Sequence, residues 1–332
     1  MTRKRGIHPA GANRPERVVA SARQAIDELA SLRDLLRWSV SRFQQSGIRT
    51  GHGTLSLLDE AVLLALWSLH LAPDELDQWL DVRLARVERE AIVELVEARC
   101  STREPAAYLT GEAWLRGVCF RSDSRALVPR SLIAEALDSS LPGYVNAFPR
   151  GEDWPRSVLD LCTGGGSLAV LCALRFDDAT VRASDISEAA LGLARENLDL
   201  HGLTARVELV QGDLLAAHPG QRFDLIVCNP PYVCDASMDE LPAEFRAEPQ
   251  LALAGGIDGM DLIRRIIESA PAHLTQDGLL LIEIGHEADH FEQAFPRLEF
   301  AYLPIEAGER MLVAIEASAL VGGRKAQRRS RA

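Results

Sequence analysis

Val158-Leu-Asp-Leu-Cys-Thr-Gly-Gly-Gly-Ser167 is the stretch on which the fold turns. An apolar run of strand length ends in three consecutive glycines, and the residues after it, Leu168 to Arg175, predict a helix. Glycine lets a backbone turn sharply and approach a ligand closely at the carboxyl end of a strand, where open α/β sheets bind their ligands. A nucleoside-bearing cofactor is expected there. The loop alone does not say which one. Gly164-x-Gly166-x-x-Ala169, with Asp185 about twenty residues on, also satisfies a dinucleotide fingerprint.

Outward from the loop, short apolar strands alternate with helices. The strands are expected at Val158 to Leu161, Thr180 to Ala183, Val207 to Val210, Leu225 to Cys228, Leu279 to Ile284 and Met311 to Ile315. That alternation predicts an α/β fold with a doubly wound, mostly parallel sheet. Upstream, apolar residues recur at helical spacing, as in Leu29, Leu32, Leu36, Val40 and Phe43, then Leu57, Val62, Leu66 and Leu69. These predict an all-helical N-terminal domain. The glycines of Gly47 to Thr54 are expected to part its first helix from its second, and Pro73-Asp74-Glu75 to open a third. Runs around Val118-Cys-Phe120 and Ala126-Leu-Val128 read as a connecting hairpin. The expected organisation is a helical domain over 1–105, a linker hairpin over 106–130, a cofactor-binding α/β domain over 131–320 and a basic tail over 321–332. The tail, with Arg324, Lys325, Arg328, Arg329 and Arg331, reads as a solvated charge run; an electrostatic tether to a ribonucleoprotein is the alternative.

A chain of 332 residues, 47% of them hydrophobic, can bury two modest cores. Its net charge of −12 argues against gripping phosphate backbones, which needs surplus Lys and Arg, so nucleic acid is a poor first substrate. Six cysteines without a C-x-x-C pair suggest neither zinc nor a disulfide scaffold, and fit a reducing cytoplasm. No metal is expected. The basic start, Met1-Thr-Arg-Lys-Arg5, runs into polar residues rather than an apolar stretch, and nothing approaches a membrane span.

Three carboxylates stand at strand ends. Asp160 could receive cofactor hydrogen bonds or cap the loop; Asp185 could take both ribose hydroxyls or cap the next helix; Asp213 could accept the adenine amine or serve a turn. Thr163, Gly164, Gly166 and Ile186 complete the expected cofactor set, which Asn229 closes. After the fourth strand comes Asn229-Pro230-Pro231-Tyr232. Two prolines stiffen the chain and remove two donors, leaving carbonyls free as acceptors. The Asn229 oxygen and the Pro230 carbonyl can each accept one hydrogen from a planar NH2 group, with Tyr232 as a wall. Asn229, Pro230 and Tyr232 are therefore the expected catalytic residues; these three, Pro231 and Arg130 are the expected substrate contacts. An amide nitrogen is a poor nucleophile, so positioning at about 3 to 3.5 Å and exclusion of water should supply most of the catalysis. Hydride transfer has no use for such a turn. His52, between two glycines, reads as a turn or packing residue, and Arg130 as a linker or substrate residue, with a surface ion pair as the alternative.

The glycine loop, Asp185 and Asn229 to Tyr232 together resemble the Rossmann-like methyltransferases that modify planar NH2 groups on nucleobases or glutamine. Glu248-Pro249-Gln250-Leu251-Ala252-Leu253-Ala254-Gly255-Gly256-Ile257-Asp258-Gly259 resembles the protein-glutamine methyltransferases among them. Leu127-Val128-Pro129-Arg130-Ser131, Leu35 to Phe43, Gly51-His-Gly-Thr54 and Ala107-Tyr-Leu-Thr110 are similar to the branch acting on the third protein of the large ribosomal subunit; the release-factor branch carries Pro-Glu-Thr-Glu after the arginine. The likeness runs from about Leu32 to Ile315. It departs at Gly165, where Ser is usual, at Leu132, where this branch often has Pro, and at Ala307-Gly-Glu-Arg310. It implies S-adenosylmethionine as cofactor, substrate recognition by the helical domain, and N5-methylation of a glutamine in a large-subunit ribosomal protein, free or in an assembly intermediate. Release-factor methylation, nucleic-acid amino-methylation and a non-catalytic ribosome-assembly role remain as alternatives.

Overall fold

The computed structural model describes residues 18–72, 75–148, 150–151 and 153–321. The basic tail from Gly322, the basic start and the Pro73-Asp74 helix opening lie outside them. The chain divides into two compact units: one holds the chain up to Ile48 together with Leu57–Cys100, the other Arg49–Ser56 and the chain from Ser101 on.

The first unit is helical: α1 (Ala22–Glu28), α2 (Leu32–Ser46), α3 (Leu57–Ser68), α4 (Leu76–Trp79) and α5 (Arg86–Thr102). The apolar spacing from Leu29 to Phe43 does not run as one helix from its start. Ser31 opens α2 by a reciprocal cap, its hydroxyl accepting the Asp34 amide while the Asp34 carboxylate accepts the Ser31 amide at 3.1 Å. Gly47 ends α2 in the left-handed region, as its type predicts. Leu32, Leu35, Trp38, Phe43, Leu64, Ile92 and Val96 form the interior. Inside it, Arg99 Nε meets Glu60 Oε1 at 2.5 Å, a buried ion pair.

The second unit begins with α6 (Ala106–Thr110) and the hairpin β1 (Glu112–Leu115) to β2 (Val118–Arg121). The expected hairpin is thus displaced: β2 pairs backwards with β1 across Arg116-Gly117, both at positive φ as a two-residue hairpin turn requires. Ala126-Leu-Val128 is no strand. Side chains take its backbone groups instead, the Tyr108 hydroxyl donating to the Ala126 carbonyl at 2.6 Å and the Val128 amide to Glu248 Oε1 at 3.0 Å.

The α/β part follows: α7 (Ile133–Asp138), α8 (Ser140–Asn146), β3 (Ser157–Leu161), α9 (Ser167–Arg175), β4 (Thr180–Asp185), α10 (Glu188–Leu200), β5 (Val207–Gln211) and β6 (Phe223–Cys228). Then come α11 (Asp235–Glu240), α12 (Ala243–Arg246), α13 (Asp261–Ser269), β7 (Leu274–Glu283), α14 (Ala288–Ala294), β8 (Ala301–Tyr302) and β9 (Leu312–Glu316). Their order in the sheet is β5-β4-β3-β6-β7-β9-β8, with β9 alone reversed. Along each strand side chains alternate between faces. Val158, Val227 and Leu281 pack with α7 and α9, whereas Leu159, Ile226 and Leu280 pack with α13 and α14. The strand order reverses at β3 and β6, which pair through Leu161 and Cys228. The glycine turn and the Asn229-Pro-Pro turn therefore leave neighbouring strand ends, at the switch point where such sheets bind ligands.

Candidate active site

In the glycine turn Cys162, Gly164 and Gly166 all take positive φ. Gly166 needs to be glycine twice over, since a Cβ there would also lie 3.0 Å from the Ala194 Cβ. Beneath the turn, Asp160 is wholly buried; its Oδ2 accepts the Thr163 hydroxyl at 2.5 Å and the Ala169 amide at 2.9 Å. Burial pushes the Asp160 carboxyl up to about 7 against the pull of those two bonds. Asp160 does not line the adjacent cavity, so it braces the loop rather than forming the cavity wall. Its Oδ1 is buried without a partner among the described residues, an acceptor for a donor that those residues do not supply.

Asp185 ties the second strand to the same turn. Its Oδ2 accepts the Gly164 amide and its Oδ1 the Ser187 amide, both at 2.9 Å. It is not the cap of α10; that is Ser187, whose hydroxyl accepts the Ala190 amide. Two oxygens with one donor each retain room for the hydroxyls of a ligand. Asp213 stands half-exposed after β5, its Oδ2 2.5 Å from the Arg265 guanidinium.

These groups surround a cavity of about 200 Å³. Of the residues expected at the cofactor, Thr163, Gly164, Asp185, Ile186, Asp213 and Asn229 line it, and Gly166 and Asp160 support the wall from behind. From the proline turn, Asn229 and Pro231 line it, whereas Pro230 and Tyr232 are not part of its lining.

The proline turn is anchored downstream. The Val233 amide donates to the Leu253 carbonyl at 2.9 Å, the Gly255 amide to the Val233 carbonyl at 2.8 Å and the Asp235 amide to the Gly256 carbonyl at 3.0 Å. Three glycines close on Tyr232. A Cβ on Gly255 would lie 2.7 Å from the Tyr232 Cα, one on Gly259 would strike its carbonyl oxygen, and one on Gly285 would lie 2.6 Å from ring Cε2. The Tyr232 hydroxyl donates to Glu283 Oε1 at 3.2 Å, and Glu283 Oε2 accepts the Ser131 hydroxyl at 2.6 Å and the Leu132 amide at 2.8 Å. Burial pushes up both the Tyr232 hydroxyl and the Glu283 carboxyl. Glu283 is absent from the residues read out of the sequence. Its only signal there is a lone carboxylate in the apolar run Leu279 to Ile284.

Arg130 lines the cavity, yet both ends of its guanidinium fork bind Glu248, at 2.6 Å each. Glu248 is 4% exposed, so this is no surface ion pair. It also accepts the Val128 amide and lies 3.3 Å from His52 Nε2. Burial raises the Glu248 carboxyl, but His52 and Arg130 outweigh it and hold the group below its ordinary range. His52 is buried, its ring 4.2 Å from that of Phe245, and it meets Glu248 as well as packing. Among the described residues, no helix is long and apolar enough to cross a membrane.

Residues 136–256 match the methyltransferase small domain family. That match selects S-adenosylmethionine-dependent chemistry over the dinucleotide that the glycine loop had left open. The ribosomal protein uL3 glutamine methyltransferase of Bordetella pertussis is 51% identical over 86% of this chain and 95% of its own length. Its namesake from Burkholderia pseudomallei is 48% identical over 87% and 95%, and that from Bradyrhizobium diazoefficiens 45% over 85% and 89%. Identity of this depth spans the helical region as well as the sheet. The sheet order, the glycine turn and the anchored Asn229-Pro-Pro-Tyr232 turn accord with it, and the chain belongs to the ribosomal protein uL3 glutamine methyltransferase family.

Proposed function

We propose that this chain methylates the side-chain amide nitrogen of a glutamine in ribosomal protein uL3, the third protein of the large subunit. The observation that carries the reading is the position of Asn229: on the cavity wall, at the carboxyl end of β6, one strand away from the glycine turn. S-adenosylmethionine, when bound, supplies an electrophilic methyl group on a sulfonium. Thr163, Gly164, Asp185, Ile186 and Asp213 are the residues that would hold it at the cavity wall, with Gly166 keeping the turn tight. The partnerless Asp160 Oδ1 suits a ligand bearing an ammonium group, reached through water rather than directly.

Asn229 and the Pro230 carbonyl accept the two N–H bonds of the target amide, drawing electron density toward its nitrogen and fixing its direction. Pro231 and Tyr232 keep that pair of acceptors rigid, and Arg130 holds the linker through Glu248. An amide nitrogen in line with a methyl group needs alignment and a dry site more than a strong base. The helical domain over 1–105 would recognise the protein around the target, the α/β domain over 131–320 would carry the chemistry, and the cytoplasm is the compartment where a ribosomal protein is met.

Incubation with labelled S-adenosylmethionine and, separately, purified uL3, release factor and DNA, followed by mass spectrometry, tests the reading. A methyl group on a uL3 glutamine supports it. Label in release factor alone moves the substrate, and label in DNA alone overturns the protein substrate.

A further inference from the structure

We propose that Glu283 is a positioning residue for the methyl transfer, setting through Tyr232 where the Asn229-Pro-Pro turn holds the target amide; the proposal rests on the glutamine reading above. The carboxylate has two sides with different duties. Oε2 is held from the segment just before α7 by the Ser131 hydroxyl and the Leu132 amide at 2.6 and 2.8 Å, which leaves Oε1 for the Tyr232 hydroxyl at 3.2 Å. The end of β7 and the residues just after it thus offer Tyr232 both an acceptor and, at Gly285, a surface without a Cβ on which the ring lies.

Displacement of Tyr232 cannot be absorbed next to it. The two residues before it are prolines with fixed φ, so movement passes to Asn229 and the Pro230 carbonyl. Those acceptors are the groups whose placement matters most, because misplacement of a reacting group by about 1 Å can cost about 100-fold in rate. Filling space beside a tyrosine would not call for a buried acid, whose desolvation is costly. An acceptor-only group facing three donors explains why a carboxylate is there.

Glu283→Gln isolates this role. Its single oxygen can keep the Leu132 amide and Ser131, but its NH2 then faces the Tyr232 hydroxyl, reversing the bond at nearly constant volume. We expect kcat on the glutamine-bearing protein to fall about tenfold or more, with KM and affinity for S-adenosylhomocysteine within about threefold. Tyr232→Phe should give a similar loss, and the double variant should be no worse than the worse single one, since both act on the same hydroxyl–carboxylate bond, the one by removing it and the other by reversing it. Normal kcat in Glu283→Gln, cofactor affinity falling in step with kcat, or additive losses would each overturn the proposal. A substrate-free arm reads hydrogen exchange of the Val233 and Asp235 amides, which should quicken in Glu283→Gln; unchanged protection refutes the brace. If the wild-type chain methylates no uL3 glutamine, the functional reading fails, and the exchange arm still decides the brace.

Discussion

The glycine turn after β3 and the proline turn after β6 leave adjacent strands, yet they are held by residues at different distances along the chain. Asp160 grips Thr163 and Ala169, three and nine positions away, and Asp185 reaches Gly164 from 21 positions on. Tyr232 leans on Glu283, 51 positions on, which in turn is held by Ser131, 152 positions before it. A turn that binds through its own backbone can be assembled locally from glycines and a nearby carboxylate. A turn that must hold two acceptors against a substrate is stiffened within by prolines and aimed from without by distant parts of the fold.

Changes at each turn should separate the two duties. Asn229→Ala gives the largest effect: a loss of turnover of about 100-fold or more with cofactor affinity nearly kept, read by kinetics beside calorimetry. Turnover near normal would sink the role of the proline turn. Next is Gly285→Ala, which puts a methyl group against the Tyr232 ring at a positive φ. We expect it to cost about 1–3 kcal/mol in denaturant unfolding, with the proline turn displaced; an unshifted midpoint would mean that the ring is free to move.

Asp160→Asn sharpens the comparison from the other side. The wild-type carboxyl, pushed up to about 7 in the fold, keeps a proton there that the unfolded chain loses near pH 4. Its contribution to stability is therefore full below about pH 4 and is lost as pH rises toward about 7. Asparagine preserves both bonds made by Oδ2 and should flatten stability across that window, which urea titrations at several pH values would show. Cofactor affinity should fall about tenfold if Oδ1 serves an ammonium group, and an unchanged affinity would leave Asp160 a strut alone. The smallest effect is expected at Asp213→Asn. Its half-exposed pairing with Arg265 and a single amine contact should be worth less than about tenfold in cofactor affinity, measured by calorimetry.

The local features were the legible ones. Strand–glycine–helix order, the three strand-end aspartates and the proline turn can be read because each is a short run with its own backbone chemistry. The apolar spacing near Leu29 blurred two helices into one because periodicity does not register the capping serine at position 31. The hairpin was displaced for a related reason: β-prone composition at Ala126 to Val128 cannot reveal that Tyr108 and Glu248 satisfy its backbone in place of a strand. Arg130 could be singled out, but not its partner Glu248, 118 positions away.

By itself, then, the sequence determined six of the sheet strands and their α/β order, the kind of ligand loop and the acceptor pair of the proline turn, because those depend on backbone freedom and on residues within a few positions. Tertiary structure alone decided that Asp160 supports rather than lines the cavity, that Glu283 and three glycines enclose Tyr232, and that Arg130 is committed to a buried carboxylate. Each of those depends on which distant segments the parallel sheet brings together, and on the burial that makes an unpaired charge or a missing glycine costly.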